Sequence, residues 1–139
     1  MAVTTRTTPA PTDPVKVIMA DRLADIGAEQ SLRSIAQELV ADEIGVLVVR
    51  MSGGPVGLVS ERDIVTVLAT GGDLDKQQAV DVMTSDLVTA KPTDSIASVG
   101  RLMLDAGVRH IVIREDDTVV GLVSIRDVLA VLLGHNRGS

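Results

Sequence analysis

The feature that most constrains this chain is an internal repeat with a constant spacing. Residues 55–64, with the sequence PVGLVSERDI, recur as residues 119–128, with the sequence VVGLVSIRDV, after a shift of 64 positions. The same shift aligns Met19 with Met83 without a gap, so these two methionines are predicted to pack alike. Self-similarity at a fixed period indicates two copies of one structural unit. The predicted boundaries are residues 15–70 and 79–134 for the copies, 1–14 for a flexible tail, 71–78 for a linker and 135–139 for a C-terminal tail.

Each copy has the periodicity of a small unit that mixes helices and strands. Apolar residues from Leu32 to Val40 recur at helical spacing, which predicts a helix over about residues 31–42. The β-branched runs at 46–49 and 111–113 are short and predict buried strands. A turn, a second strand and a closing helix are predicted after each run.

The predicted order is therefore strand, helix, strand, strand, helix, and it occurs twice. One such unit is too small to bury much apolar surface alone. We therefore predict an α/β (α+β) fold in which two β-α-β-β-α repeats pack sheet to sheet with pseudo-two-fold symmetry. Two such pairs are predicted to pack again as a homodimer.

Composition excludes several classes of function. The chain has no cysteine and only two histidines, so disulfides, thiolate metal sites and cysteine nucleophiles are excluded. A net charge of −6 and the absence of aromatic residues argue against nucleic acid as a partner. No apolar run approaches the roughly 20 residues that cross a bilayer. We expect no catalytic residue, no metal site, no membrane partner and a cytoplasmic location.

The repeated segment carries a serine and an aspartate at the predicted start of the closing helix. These are Ser60 and Asp63 in the first copy and Ser124 and Asp127 in the second. One interpretation is a capping box, in which the two side chains satisfy the first amides of the helix. The other is a ligand site, in which the carboxylate accepts hydrogen bonds from both hydroxyls of a ribose. The arginine between the serine and the aspartate then binds a phosphate. The residues alone leave both interpretations open.

The duplicated unit, closing each time with Gly-Leu-Val-Ser-x-Arg-Asp, resembles the CBS-domain family, whose tandem pairs are called Bateman modules. Val82-Met83-Thr84 and residues 107–113, with the sequence GVRHIVI, add to the resemblance. The resemblance implies a regulatory module that binds an adenine nucleotide or adenosyl ligand in a cleft between the copies. AMP, ADP, ATP, NAD and S-adenosylmethionine are all compatible with it. The resemblance also implies that the module signals to an unidentified partner protein by conformational change. It does not imply that a cofactor is required.

The resemblance also implies two crossed ligand sites, each joining the Ser-Arg-Asp group of one copy to strand residues of the other. The first predicted site comprises Ser60, Arg62, Asp63, Val88, Thr89, Ala90, Val108, Arg109 and His110. The second comprises Ser124, Arg126, Asp127, Asp25, Ile26, Ile44, Gly45 and Val46. Arg109 and His110 favour phosphate binding at the first site, whereas Gly45 and Val46 supply no cation and Asp25 adds a negative charge.

Two alternatives accompany these predictions. His110 has the simpler interpretation of a hydrogen-bonded structural residue at a strand entrance. The alternative function for the whole protein is a ligand-free dimeric interaction scaffold. In that case the Ser-Arg-Asp groups serve only as helix caps. An enzyme is the weakest hypothesis, because no acid/base or nucleophile constellation can be assembled.

Overall fold

The computed structural model describes residues 8–21, 23, 26–42, 44–50 and 56–134. It contains two three-stranded sheets accompanied by helices, which confirms the predicted mixed α/β class. The chain divides into two compact units. The central unit is Leu23–Leu87, and the split unit combines Met1–Arg22 with Val88–Ser139.

The central unit follows the predicted order of elements and adds a short helix at its end. Its elements are β1 (Ile26–Gly27), α1 (Leu32–Asp42), β2 (Val46–Arg50), β3 (Val56–Ser60), α2 (Glu61–Ala69) and α3 (Ala79–Val82). The predicted helix at about 31–42 therefore corresponds to α1. All four residues from Val46 to Val49 are buried, as the continuous β-branched run predicted.

The split unit repeats this order with a 3-10 helix contributed by the N-terminal part of the chain. Its elements are the 3-10 helix (Val15–Val17), β4 (Thr89–Ala90), α4 (Ile96–Ala106), β5 (His110–Glu115), β6 (Thr118–Ser124) and α5 (Ile125–Leu132). The two short helices, α3 and the 3-10 helix, were absent from the sequence prediction, because four or fewer residues show too little periodicity.

Both sheets have the same topology. In the central unit β1 pairs in parallel with β2, and β2 pairs antiparallel with β3. In the split unit β4 pairs in parallel with β5, and β5 pairs antiparallel with β6. Val46 lies opposite Ser60 and His110 lies opposite Ser124, so each middle strand begins beside the serine that ends the last strand.

A strap completes each unit, and the central unit's strap is residues 78–84. Gln78 forms a β-bridge with Ser31, and Thr84 exchanges two backbone hydrogen bonds of 2.9 Å with Leu58 of β3. Ala79, within the strap, is fully buried in the core of this unit. The strap therefore adds both an edge pairing and core residues to the unit.

Residues 14–20 form the strap of the split unit. Pro14 forms a β-bridge with Ser95, and Ala20 exchanges two backbone hydrogen bonds with Leu122 of β6, of 2.8 and 3.0 Å. Val15 is fully buried in the core of this unit. Because the two straps are related by the 64-residue shift, each sequence copy contributes its strap to the unit that contains the rest of the other copy.

A methionine of each strap packs against a glycine of the last strand. Met83 Sδ lies 2.6 Å from the point where a Cβ would sit on Gly57, and Met19 covers Gly121 in the same way. A Cβ at either place would force the thioether of the methionine to shift. The prediction that the two methionines pack alike is confirmed.

Part of the predicted N-terminal tail is held against the split unit. Pro11 and Asp13 accept backbone hydrogen bonds of 2.9 Å from Ala97 and Ile96, in the first turn of α4. The first amides of a helix lack partners within the helix, so a passing chain that offers carbonyls is bound there. This differs from the prediction of a flexible tail over residues 1–14, for the described residues from Ala10 onward.

Candidate functional site

The start of α2 is a complete capping box formed by Ser60 and Asp63. The Asp63 amide donates to Ser60 Oγ at 3.3 Å, and the Ser60 amide donates to Asp63 Oδ2 at 2.7 Å. The Ser60 hydroxyl also donates to Asp63 Oδ2, at 3.1 Å. The box fixes the position of the carboxylate at the positive end of the helix dipole.

The start of α5 repeats this geometry with Ser124 and Asp127. The Asp127 amide donates to Ser124 Oγ at 3.2 Å, and the Ser124 amide donates to Asp127 Oδ2 at 3.1 Å. The capping interpretation of the sequence is therefore confirmed in both units.

Capping does not use the whole of the Asp63 carboxylate. Both bonds that Asp63 accepts within the box go to Oδ2. The two predicted roles of this aspartate are therefore compatible, since capping occupies one oxygen and a diol needs acceptor capacity on a fixed carboxylate.

A backbone hydrogen bond ties each helix start to the entrance of the middle strand. The Glu61 amide donates to the Gly45 carbonyl at 2.9 Å, and the Ile125 amide donates to the Arg109 carbonyl at 2.8 Å. Arg62, next along α2, is exposed. In each unit the strand entrance and the helix start therefore form one connected surface.

His110 lies at this junction in the split unit. It is half-buried at the start of β5, opposite Ser124. Burial lowers the pKa of His110 below its usual value of 6.5, Asp127 acts in the opposite direction, and Arg109 lowers the pKa further. The neutral imidazole is therefore favoured, and its proton equilibrium is sensitive to charge placed beside Asp127 and Arg109.

The remaining strand residues of the first predicted site also lie in the split unit. Val88 is half-buried and its carbonyl accepts from the Val112 amide at 3.2 Å. Thr89 is exposed and Ala90 is buried on β4. Val108 is half-buried, and its amide donates to the Met103 carbonyl at 3.1 Å, just after α4.

The strand residues of the second predicted site lie in the central unit. Ile26 is buried on β1, and Val46 is buried at the start of β2. Ile44 is exposed, and its amide donates to the Leu39 carbonyl at 3.1 Å. Gly45 is half-buried. Asp25 lies outside the described residues.

The structure groups the predicted site residues by unit. The split unit holds Ser124, Arg126 and Asp127 together with the strand residues from Val88 to His110 of the first predicted site. The central unit holds Ser60, Arg62 and Asp63 together with the described strand residues of the second. The crossed combinations, which take residues from both units, stay predictions.

Glu61 is a charged residue at this junction that is absent from the predicted sites. Its Oε1 lies 3.1 Å from the point where a Cβ would sit on Gly45. The signal in the sequence is a difference between otherwise similar copies, since SERD in the first copy becomes SIRD in the second. That difference places a carboxylate where the other unit has an isoleucine.

Two further findings concern the described part of the chain. Within it, no three histidine, aspartate or glutamate side chains gather in a way that could hold a metal ion. Its helices are also too short or too polar to cross a bilayer.

These features define a class, a duplicated α/β module with one capped Ser-x-Arg-Asp helix start in each copy. The family model of the CBS domain matches residues 15–70 and 79–134. The chain therefore belongs to the CBS-domain family, as a tandem regulatory module.

Solved structures and a curated relative agree with this assignment. A conserved protein from Pyrococcus horikoshii has a TM-score of 0.79 and 28% identity, covering 87% of this chain and 92% of that chain. A CBS domain protein from Pyrobaculum aerophilum, solved in complex with AMP, has a TM-score of 0.77 and 27% identity, with coverage of 86% and 95%. A protein from Methanopyrus kandleri is 31% identical over 100 residues, which are 70% of this chain and 51% of that protein. The chain thus spans about half the length of this last relative.

Proposed function

We propose that the protein is a regulatory sensor that binds an adenine nucleotide or adenosyl compound and signals to a partner protein by conformational change. Binding requires neither a cofactor nor catalysis. AMP, ADP, ATP, NAD and S-adenosylmethionine belong to the ligand class, because a ribose-binding aspartate meets the same diol in each. Signalling requires that the ligand bind two conformations of the module with different affinity.

The observation that carries this proposal is the capping box of α2. A helix cap needs a serine and an acid, but it does not need an exposed arginine beside the acid. Asp63 accepts its box bonds through Oδ2, and Arg62 is exposed one residue earlier. A fixed carboxylate next to a guanidinium suits a ribose diol followed by a phosphate.

The AMP complex of the Pyrobaculum aerophilum relative supports the ligand class. That protein matches 86% of this chain at 27% identity, so the likeness extends over both copies. The choice of ligand in the present protein is part of the proposal.

Calorimetric titration with AMP tests the proposal through two aspartates. Asp63→Ala should weaken AMP binding about tenfold or more, since a charge-assisted hydrogen bond is lost, and should do so more than Asp127→Ala. Greater sensitivity at Asp63 follows from the predicted combination of this residue with Arg109 and His110. Equal AMP binding by the wild type and both variants would contradict the proposal.

A matched control separates binding from loss of the cap. Asp81→Ala removes the acid of the capping box of α3, where the Gln78 amide donates to Asp81 Oδ2 at 2.8 Å. Asp81 belongs to neither predicted site, so this variant should lose stability and keep AMP affinity. Comparable loss of AMP affinity in Asp81→Ala and Asp63→Ala would identify the effect as structural.

Homodimer formation is a further part of the proposal. Exposed apolar residues recur at equivalent positions in both units, with exposed fractions from 52 to 78% for Val40, Leu104, Val65, Leu129, Leu68 and Leu132. A surface that is apolar in both copies is suited to burial against a second copy. The ligand-free scaffold would use the same surface.

Sedimentation velocity tests this part. We expect a dimer at micromolar concentration and a shift to monomer in Leu132→Glu, because a carboxylate cannot be buried there without large cost. A monomeric wild type at these concentrations would contradict the dimer. The cytoplasmic location stays a prediction.

A further inference from the structure

The carboxylate of Glu61 lies over the backbone of Gly45 in the central unit. Glu61 is the first residue of α2, and its amide donates to the Gly45 carbonyl at 2.9 Å. Its side chain turns toward the same glycine, with Oε1 3.1 Å from the point where a Cβ would sit. A larger residue at position 45 would displace the carboxylate. The glycine therefore allows a negative charge to lie directly on the strand entrance.

The split unit has the equivalent backbone hydrogen bond, but its side chains at these two positions carry a positive charge in place of a negative one. The Ile125 amide donates to the Arg109 carbonyl at 2.8 Å, as Glu61 does to Gly45. Isoleucine replaces the glutamate, and arginine replaces the glycine. At the strand entrance the central unit thus has the carboxylate of Glu61 over Gly45, whereas the split unit has the guanidinium of Arg109 and an uncharged Ile125.

We propose that Glu61 is a specificity-determining residue, which makes the strand entrance at Gly45 disfavour phosphate and favour uncharged or cationic adenosyl ligands. This inference rests on the proposed function, because it concerns which member of the adenosyl class binds at that entrance. A carboxylate on the strand entrance repels the phosphate of a nucleotide, while it does not repel a nucleoside and attracts a sulfonium. Arg109 has the reverse effect in the split unit.

A helix-stabilising role for Glu61 is distinguishable from this one. An acid in the first turn of a helix interacts favourably with the dipole wherever its side chain points. That role predicts a change in stability without a change in ligand preference. The proposed role predicts a change in the ratio of AMP affinity to adenosine affinity.

The test is a titration followed by amide chemical shifts, with adenosine, AMP and S-adenosylmethionine as probes. The Gly45 amide monitors the central unit and the Arg109 amide monitors the split unit. For the Gly45 amide, Glu61→Gln should raise AMP affinity about fivefold, as expected for one exposed charge, and leave adenosine affinity unchanged. The gain should shrink in high salt because exposed charges are screened.

Reciprocal exchange of the two residues provides the matched comparison. Glu61→Ile gives the central unit the residue of the split unit and should act like Glu61→Gln. Ile125→Glu should lower AMP affinity at the Arg109 amide without affecting adenosine. The inference is overturned if adenosine and AMP bind the wild type and their affinity ratio at Gly45 is unchanged in Glu61→Gln. If none of the three probes, and neither ATP nor NAD, shifts any amide of the wild type, the proposed function itself is overturned, and this inference with it.

Discussion

The central and split units have the same framework but differ in two respects. The central unit is one continuous segment, Leu23–Leu87, whereas the split unit combines two segments that are far apart in the sequence. They also differ in the charges at the start of the middle strand, where Gly45 and Glu61 correspond to Arg109 and Ile125. Residues repeated in both copies build the common framework, while the charge at the start of the middle strand differs between them.

Each compact unit is completed by a strap that belongs to the other sequence copy. The strap of each copy pairs with residues of the other copy, at Leu58 in the central unit and at Leu122 in the split unit. A single sequence copy therefore lacks part of the unit that it largely builds. The compact unit and the sequence repeat are therefore different segments of the chain.

Expression of fragments gives the largest expected effect. Residues 23–87 contain the whole central unit and should unfold cooperatively, whereas residues 15–70 should not. The shorter repeat lacks Leu74 and Ala79, which are 8% and 0% exposed in the core. Loss of a buried leucine side chain alone lowers the free energy of unfolding by about 2–5 kcal/mol. Urea denaturation followed by circular dichroism distinguishes the two. Cooperative unfolding of 15–70 alone would refute the role of the strap.

Glycine substitutions test whether the two straps are held alike. Gly57→Ala and Gly121→Ala should each lower the free energy of unfolding by about 1–3 kcal/mol, because the new methyl collides with Met83 or Met19. Gly27→Ala is the control, since a Cβ there meets nothing within 4 Å. Chemical denaturation provides the free energies.

A second substitution makes this test sharper. Met83→Ala removes the thioether that the new methyl would meet, so the costs of Met83→Ala and Gly57→Ala should add to more than the cost of the double variant. Strict additivity would show that the glycine is required for another reason.

The smallest expected effect is a dependence on pH that is specific to the split unit. Burial lowers the pKa of His110, so the unfolded chain binds this proton more readily than the folded chain. Stability should therefore fall as the pH decreases through the ordinary histidine value of about 6.5 toward the lower pKa of the folded state. Val46 occupies the equivalent position in the central unit and does not titrate.

Thermal denaturation of His110→Val measures this effect by difference. The variant carries the residue of the central unit and should lose less stability than the wild type between about pH 7.5 and pH 5.5, around the ordinary histidine pKa. Parallel curves for the two proteins over this range would show that His110 does not contribute.

The sequence was sufficient for the order of the strands and the longer helices, because apolar periodicity indicates them directly. The buried run at Val46–Val49 and the helical spacing after Leu32 correspond to β2 and α1. The capping boxes were also predictable, since Ser-x-x-Asp at a strand-to-helix junction uses only local backbone geometry. The resemblance to the CBS-domain family came from the same repeated residues.

Other features depend on long-range contacts and could not be predicted from local pattern. The sequence repeat gives no sign that residues 14–20 pair with Leu122, because either copy offers an equivalent strand. The position of the Glu61 carboxylate over Gly45 was missed because it depends on which way the side chain turns.

Equilibrium dialysis of the purified protein against AMP tests the central claim most directly. The chain has no phenylalanine, tyrosine or tryptophan, so nucleotide absorbance near 260 nm is measured almost free of protein background. We predict excess absorbance on the protein side for the wild type and a clear reduction for Asp63→Ala. Equal absorbance on both sides of the membrane for AMP, ATP, NAD and S-adenosylmethionine would contradict the claim that this module binds adenosyl ligands.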